Sequence, residues 1–95
     1  MRSITINGAV FYSSLDETNF FRWLESIDSV RSVAGVGKQL EIEVVEVADG
    51  SLRELIALFY RYNLDGRVLA QFETDANSSW FRSAGSYWYG SVFTD

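Results

Sequence analysis

The sequence predicts an α+β fold in which a four-stranded antiparallel sheet carries two helices on one face. Three observations lead there: segments whose apolar residues alternate, two segments with a single apolar helical stripe, and the order in which they occur, β-α-β-β-α-β. The 95 residues fit a single domain, 1–95.

Arg2 to Asn7 alternates, with Ile4 and Ile6 on one face and Ser3 and Thr5 on the other, as a half-buried strand requires. Asn7-Gly8 is a turn signal, so the strand either stops there or continues into a hairpin through Ala9 to Tyr12. Ser14-Leu15-Asp16-Glu17 has the spacing of a capping box, and Phe20, Trp23, Leu24 and Ile27 follow at i, i+3, i+4 and i+7. A helix from about Leu15 to Asp28 is expected.

Val30 to Ala34 is short and β-branched, Gly35-Val36-Gly37-Lys38 supplies the glycines of a tight connection, and Leu40 to Val47 alternates again. These residues read as a β-hairpin, with a bulge or two-sided burial at the doublet Val44-Val45. Ser51-Leu52-Arg53-Glu54 repeats the capping-box spacing ahead of Leu52, Leu55, Ile56 and Phe59, one face of a second helix ending near Tyr62 or Asn63. Asn63 is a left-handed cap candidate and Leu64-Asp65-Gly66 a turn. Arg67 to Thr74 then reads as the fourth strand, with Val68, Ala70 and Phe72 on one face. The whole is the ferredoxin-like, split β-α-β arrangement, which hosts many unrelated functions. Trp23, Leu24, Ile27, Leu55, Ile56 and Phe59 are the predicted core, while Phe21, Tyr60 and Tyr62 lie off the stripes toward an edge.

An aromatic-rich extension follows the minimal fold. Asp75 to Arg82 suits a short helix capped by Asp75 or Asn77, and Ser86 to Phe93 reads equally as a strand or a short helix. Trp80, Phe81, Tyr87, Trp88, Tyr89 and Phe93 crowd this segment, and some are expected to cover the open face or an edge of the sheet. Tyr and Trp are also the residues most enriched at protein-binding hot spots. Trp80, Tyr87, Trp88 and Tyr89 are therefore candidate anchors for a partner, with Glu73, Asp75 and Asp95 as a negative rim.

Composition removes several function classes. With no Cys and no His, the chain lacks a disulfide framework, a thiolate metal site, the commonest general base and the commonest transition-metal ligand. No cofactor and no metal are expected. Glu41 and Glu43 alternate with apolar residues, which makes them ordinary carboxylates on the solvent face of a strand. Gly35-Val36-Gly37-Lys38 lacks P-loop spacing and precedes a strand instead of a helix. No stretch approaches the roughly 20 apolar residues of a membrane span, and the N-terminus does not read as a signal peptide. Cytoplasmic residence is the expectation. A net charge of −5, from 13 acidic and 8 basic residues, disfavours nucleic acid and anionic membranes and suits a basic protein. It also serves simply to keep a small domain soluble.

The segments FFRWLESIDSVRSVAGVGKQLEIEV, SLRELIALFYRYNLDGRVLAQFET and SSWFRSAGSYWYGSVF resemble small bacterial immunity proteins of polymorphic-toxin and contact-dependent growth inhibition systems. The resemblance implies a cytoplasmic toxin inhibitor that binds one cognate toxin domain, often a basic nuclease, and blocks its active site or its access to substrate. Two alternatives stand beside it: a homo-oligomeric structural protein joined through the aromatic tail, and a small-molecule-binding regulatory domain of βαββαβ type. On any of these readings the purified chain shows no hydrolase or transferase turnover. Reproducible turnover that disappears when one carboxylate is replaced, with the fold intact, overturns that expectation.

Overall fold

The strands β1 (Arg2–Asn7), β2 (Val30–Val36) and β3 (Gln39–Val44) form an antiparallel sheet in the order β1-β3-β2. The computed structural model describes residues 2–94. Alternation places Ile4, Ile6, Ile42 and Val44 in the core, while Ser3, Thr5, Ser32 and Ala34 are exposed on the opposite face beside the half-buried Glu41 and Glu43. β1 ends at Asn7, and the Gly8 N–H bonds the Lys38 carbonyl at 3.1 Å before the chain leaves the sheet. Gly37, at φ 63°, makes the two-residue turn between β2 and β3. A register shift lies between Val30 and Ser32, in β2 opposite Val44, so the bulge sits across the ladder from the Val44-Val45 doublet.

Helix α1 (Ser14–Ser26) begins at Ser14, one residue before the predicted start at Leu15, so its cap lies one residue ahead of the predicted box. Ser13 is the cap: its hydroxyl accepts from the Asp16 N–H at 3.1 Å, and the Asp16 carboxylate accepts from the Tyr12 N–H at 3.0 Å. Helix α2 (Asp49–Arg61) begins two residues ahead of Ser51, which is no cap at all. Ser51 lies inside the helix, buried, and its hydroxyl accepts from the Ser29 N–H at 3.3 Å, tying α2 to the start of β2. The end of α2 is as the sequence predicts. Asn63 adopts φ 56°, the Leu64 N–H reaches back to the Phe59 carbonyl (2.8 Å) and the Asn63 N–H to the Tyr60 carbonyl (3.2 Å), the two bonds of a Schellman motif.

The predicted fourth strand is absent. Gly66–Phe72 forms a seven-residue 3₁₀ helix, so the sheet has three strands and the ferredoxin-like topology is not completed. Val68, Ala70 and Phe72 do alternate, but Gly66, Leu69 and Phe72 repeat every third residue, and it is this second set that is buried. Asp65 caps the segment, accepting from the Arg67 N–H at 3.1 Å and pairing with its guanidinium at 2.8 Å. Gly66 seals the choice: a Cβ there would lie 3.2 Å from the Ser91 carbonyl oxygen and 3.3 Å from Val92.

Two one-turn helices complete the chain, α3 (Ser78–Phe81) and α4 (Tyr89–Val92). They lie against α2 and the 3₁₀ helix, and with Ser3, Thr5, Ser32 and Ala34 exposed they do not cover the open face, one of the two places expected for them. Leu24, Ile27, Leu55, Ile56 and Phe59 are buried as predicted, whereas Trp23 is only half-buried, its indole N–H bonded to Glu54 at 3.0 Å. Leu55 is fully buried in this core. Leu55→Ala should therefore destabilise the domain by about 2–5 kcal/mol in chemical denaturation, and a loss within the error of the measurement would sink the placement of α2.

Candidate functional site

The aromatic extension is positioned by polar anchors before its rings meet anything. Asn77 is buried, accepting from the Thr74 N–H (2.8 Å) and donating to the Phe72 carbonyl (2.9 Å), which closes the turn after the 3₁₀ helix. Glu73 receives two charge-assisted bonds from Arg82, both 2.7 Å, and a third from the Ser78 hydroxyl at 2.9 Å. Those bonds, Arg82's foremost, hold the Glu73 carboxyl below its ordinary pKa. Glu73 thus fastens α3 to the end of the 3₁₀ helix and is not the free rim charge its position suggested.

From α3 the rings run in an unbroken chain. Phe93 meets Phe81 at 4.8 Å, Phe81 meets Trp80 at 5.7 Å, Trp80 meets Trp88 at 6.2 Å, Trp88 meets Tyr87 at 4.9 Å, and Tyr87 meets Tyr60 of α2 at 4.9 Å. All are tilted or edge-to-face, the arrangement aromatic quadrupoles favour. Each indole N–H of the tail has an acceptor: Trp80 reaches Asp49 at 3.3 Å and Trp88 the Phe81 carbonyl at 2.7 Å. The Arg53 guanidinium lies 3.9 Å from the centroid of Trp80. Beneath Trp88, between α2, the 3₁₀ helix and α4, remains a void of only about 10 Å³, at the lower limit for one water. The tail is therefore seated, with its outer rings presented on a tight base.

The candidate residues divide. Trp80, Trp88 and Tyr87 come together, the two indoles half-buried and Tyr87 52% exposed. Tyr89 lies apart from them at the start of α4, 5.7 Å from Phe93, near Arg82, which stacks 4.3 Å from the same ring. Asp75 is exposed in the turn before α3. Asp95 lies outside the described residues. The structure adds Tyr60, Asp49, Arg53 and Glu54 of α2, none of which the sequence argument placed in the site. The available signal was Tyr60 itself, an aromatic off the apolar stripe of an amphipathic helix, with Arg53 and Asp49 on the same side about two and three turns before it.

Tyr60, at 54% exposure, and Tyr87 form the most prominent part of this surface. Partial burial raises the Tyr87 phenol above its ordinary pKa, and the Glu54 carboxylate and the Tyr60 phenol act in the same direction. A second exposed apolar group, Val10, Tyr12 and Leu15, lies around the start of α1, beside a hollow of about 380 Å³ whose wall includes Asp16 and Arg61. Among the described residues no three carboxylates gather in a way that could hold a metal ion, and no helix is long and apolar enough to cross a membrane. The arrangement leaves the rings of Tyr60 and Tyr87 about half exposed beside Glu54.

Comparison of the chain with protein-family models, with curated proteins and with solved structures gives no match.

Spectrophotometric titration should find the phenols of Tyr62 and Tyr87 above the ordinary tyrosine pKa, with that of Tyr87 moving down in Glu54→Gln. Because folding favours the neutral phenol, its contribution to stability is whole below the ordinary tyrosine pKa and fades as pH rises through the raised one. A Tyr87 that titrates like a free phenol contradicts its seat against Tyr60.

Proposed function

We propose that this protein is an immunity-type inhibitor that binds a basic toxin domain, most plausibly a nuclease, through the surface formed by α2 and the aromatic tail. One observation carries the reading: Tyr60 and Tyr87 stand half-exposed, edge to face, at the outer end of a chain of rings anchored in the core. Rings held this way lose little further freedom on binding and bury a large area, which is what hot spots require. Glu54 beside them and the net charge of −5 supply attraction for a basic partner. The resemblance of the sequence to immunity proteins supports the same reading, and so does the absence of Cys and His as chemical machinery.

Inhibition on this reading is occlusion. The inhibitor covers the cleft through which a nuclease admits its phosphate substrate, and its carboxylates occupy the field that would attract that substrate. Association is expected to slow with added salt, because screening weakens steering, while the packed rings govern dissociation. A second reading, self-association, draws on Val10, Tyr12 and Leu15, exposed by 69, 90 and 75%. Gel filtration separates the two, since a stable dimer at low concentration favours self-association.

The direct test is co-expression with a basic C-terminal toxin domain taken from a secreted protein encoded beside this gene, if the neighbouring gene encodes one. Protection of the cells and a complex in pull-down are expected. Tyr60→Ala or Tyr87→Ala should weaken the complex by about 2 kcal/mol or more, roughly 30-fold, and Asp75→Ala by less. Equal killing with and without the protein, together with no complex, would falsify the proposal. A complex indifferent to both tyrosine substitutions would leave the function and reject the surface.

A further inference from the structure

The outer edge of β2 is unpaired. Among the described residues Arg31 to Val36 make no backbone hydrogen bonds except to β3. In the tight hairpin Val36 pairs with Gln39, Ala34 with Glu41 and Ser32 with Glu43, and the Gly8 N–H bond to the Lys38 carbonyl fixes which β3 residues bond toward β1 instead. By the alternation of an antiparallel ladder, Val33 and Gly35 therefore turn their N–H and C=O groups outward. No proline or lysine lies in β2 to block this edge; Arg31, at the register shift, is its sole charge. The edge of β1 differs, because its Arg2 end is flanked by the 3₁₀ helix: Arg2 donates to the Gln71 carbonyl at 2.8 Å and lies over Phe72.

Acidic charge lies beside the β2 edge on its open face. On the open face the small Ser32 and Ala34 stand between the edge and Glu43 and Glu41. A strand added at the edge would lie roughly 10 Å from β3, a gap that a lysine or arginine closes by crossing those small residues. On the other face α1 lies over β2, and its contacts to α2 run through Trp23–Glu54 and Asp16–Tyr62. At 100° per residue, Glu17, Phe21 and Glu25 lie on the flank of α1 turned away from those contacts. They line an open hollow of about 570 Å³ in which Arg22 is the one cation.

We infer that the β2 edge accepts an extended, basic strand of the partner protein, extending the sheet to four strands and aligning lysines or arginines with Glu41 and Glu43. The inference rests on the proposed function only in taking the partner to be a basic protein. A second copy of this chain fits poorly, since its own edge strand β2 carries no charge but Arg31 to meet Glu41 and Glu43.

The probe is a soluble seven-residue peptide of alternating Lys and Thr, titrated into ¹⁵N-labelled protein. Expected are shift changes over Arg31–Val36, slowed exchange of the Val33 and Gly35 amides, weakening by salt, and no binding of the Glu-Thr counterpart. Gly35→Pro removes an outward donor and should weaken binding at least tenfold, while Gly35→Ala, whose Cβ meets nothing within 4 Å, should bind as the parent does. If Gly35→Pro fails to fold, a peptide N-methylated at alternate residues replaces it and should not bind. No binding at millimolar peptide, shifts centred on Tyr60 and Tyr87, or full binding by Gly35→Pro or the methylated peptide overturns the inference. So does a dimer whose β2 amides are protected without peptide, which assigns the edge to self-pairing. None of these outcomes touches the co-expression test, so the edge can fail while the inhibitor reading stands, and the reverse.

Discussion

The second helix carries more apolar surface than one layer can cover. Leu52, Leu55, Ile56, Leu58 and Phe59 are all buried, an arc of about 160° at 100° per residue. That is wider than the stripe of a helix that merely rests on a sheet. The sheet and α1 cover one side of this arc. The other side needs a further layer, and the 3₁₀ helix with α3 and α4 provides it through Leu69, Phe72, Phe81 and Val92. The tail is part of the core as a result, and the position of its outer rings follows from the inner ones.

Polar groups set the path by which the tail reaches that place. A chain without cysteine or proline has no covalent staple and no fixed φ to direct its last turns. Asn77, Glu73 and Arg82 do the directing by hydrogen bonding, and among the described residues no buried side-chain nitrogen or oxygen lacks a partner. The aromatic residues then divide by the face they present. Phe81 is enclosed, Trp80 and Trp88 are half-buried with their N–H groups satisfied, and Tyr60 and Tyr87 remain about half exposed. A gradient from buried to exposed along one chain of rings couples the binding surface to the core.

What could be read from the sequence was whatever depends on local period and local caps. Ile4 and Ile6, the stripe of Phe20, Leu24 and Ile27, the hairpin around Gly37 and the left-handed Asn63 are all of this kind. The fourth strand failed because residues 66–72 satisfy two periods at once, and the three-residue set Gly66, Leu69 and Phe72 is the one the core buries. Ser51 misled for a related reason: Ser-x-x-Glu marks a helix start only if the preceding Asp49-Gly50 is not already helical. In the site, the mutual contact of Trp80, Tyr87 and Trp88 was foreseeable from their crowding. Their seat on Tyr60 and Arg53 was not, since it depends on the tail folding back over a helix that ended many residues earlier.

The three tryptophans are unevenly placed, and this has an optical consequence. Trp23 bonds Glu54 of α2, Trp80 lies on Arg53 and Asp49 of the same helix, and Trp88 bridges Trp80 and Tyr87, while the sheet contains no indole. Indole emission therefore watches the surroundings of α2 from both flanks and is nearly blind to the strands. Detachment of the tail registers as a large change in fluorescence with little loss of β-sheet circular dichroism. The two signals together resolve motions of the aromatic layer from unfolding of the domain beneath it.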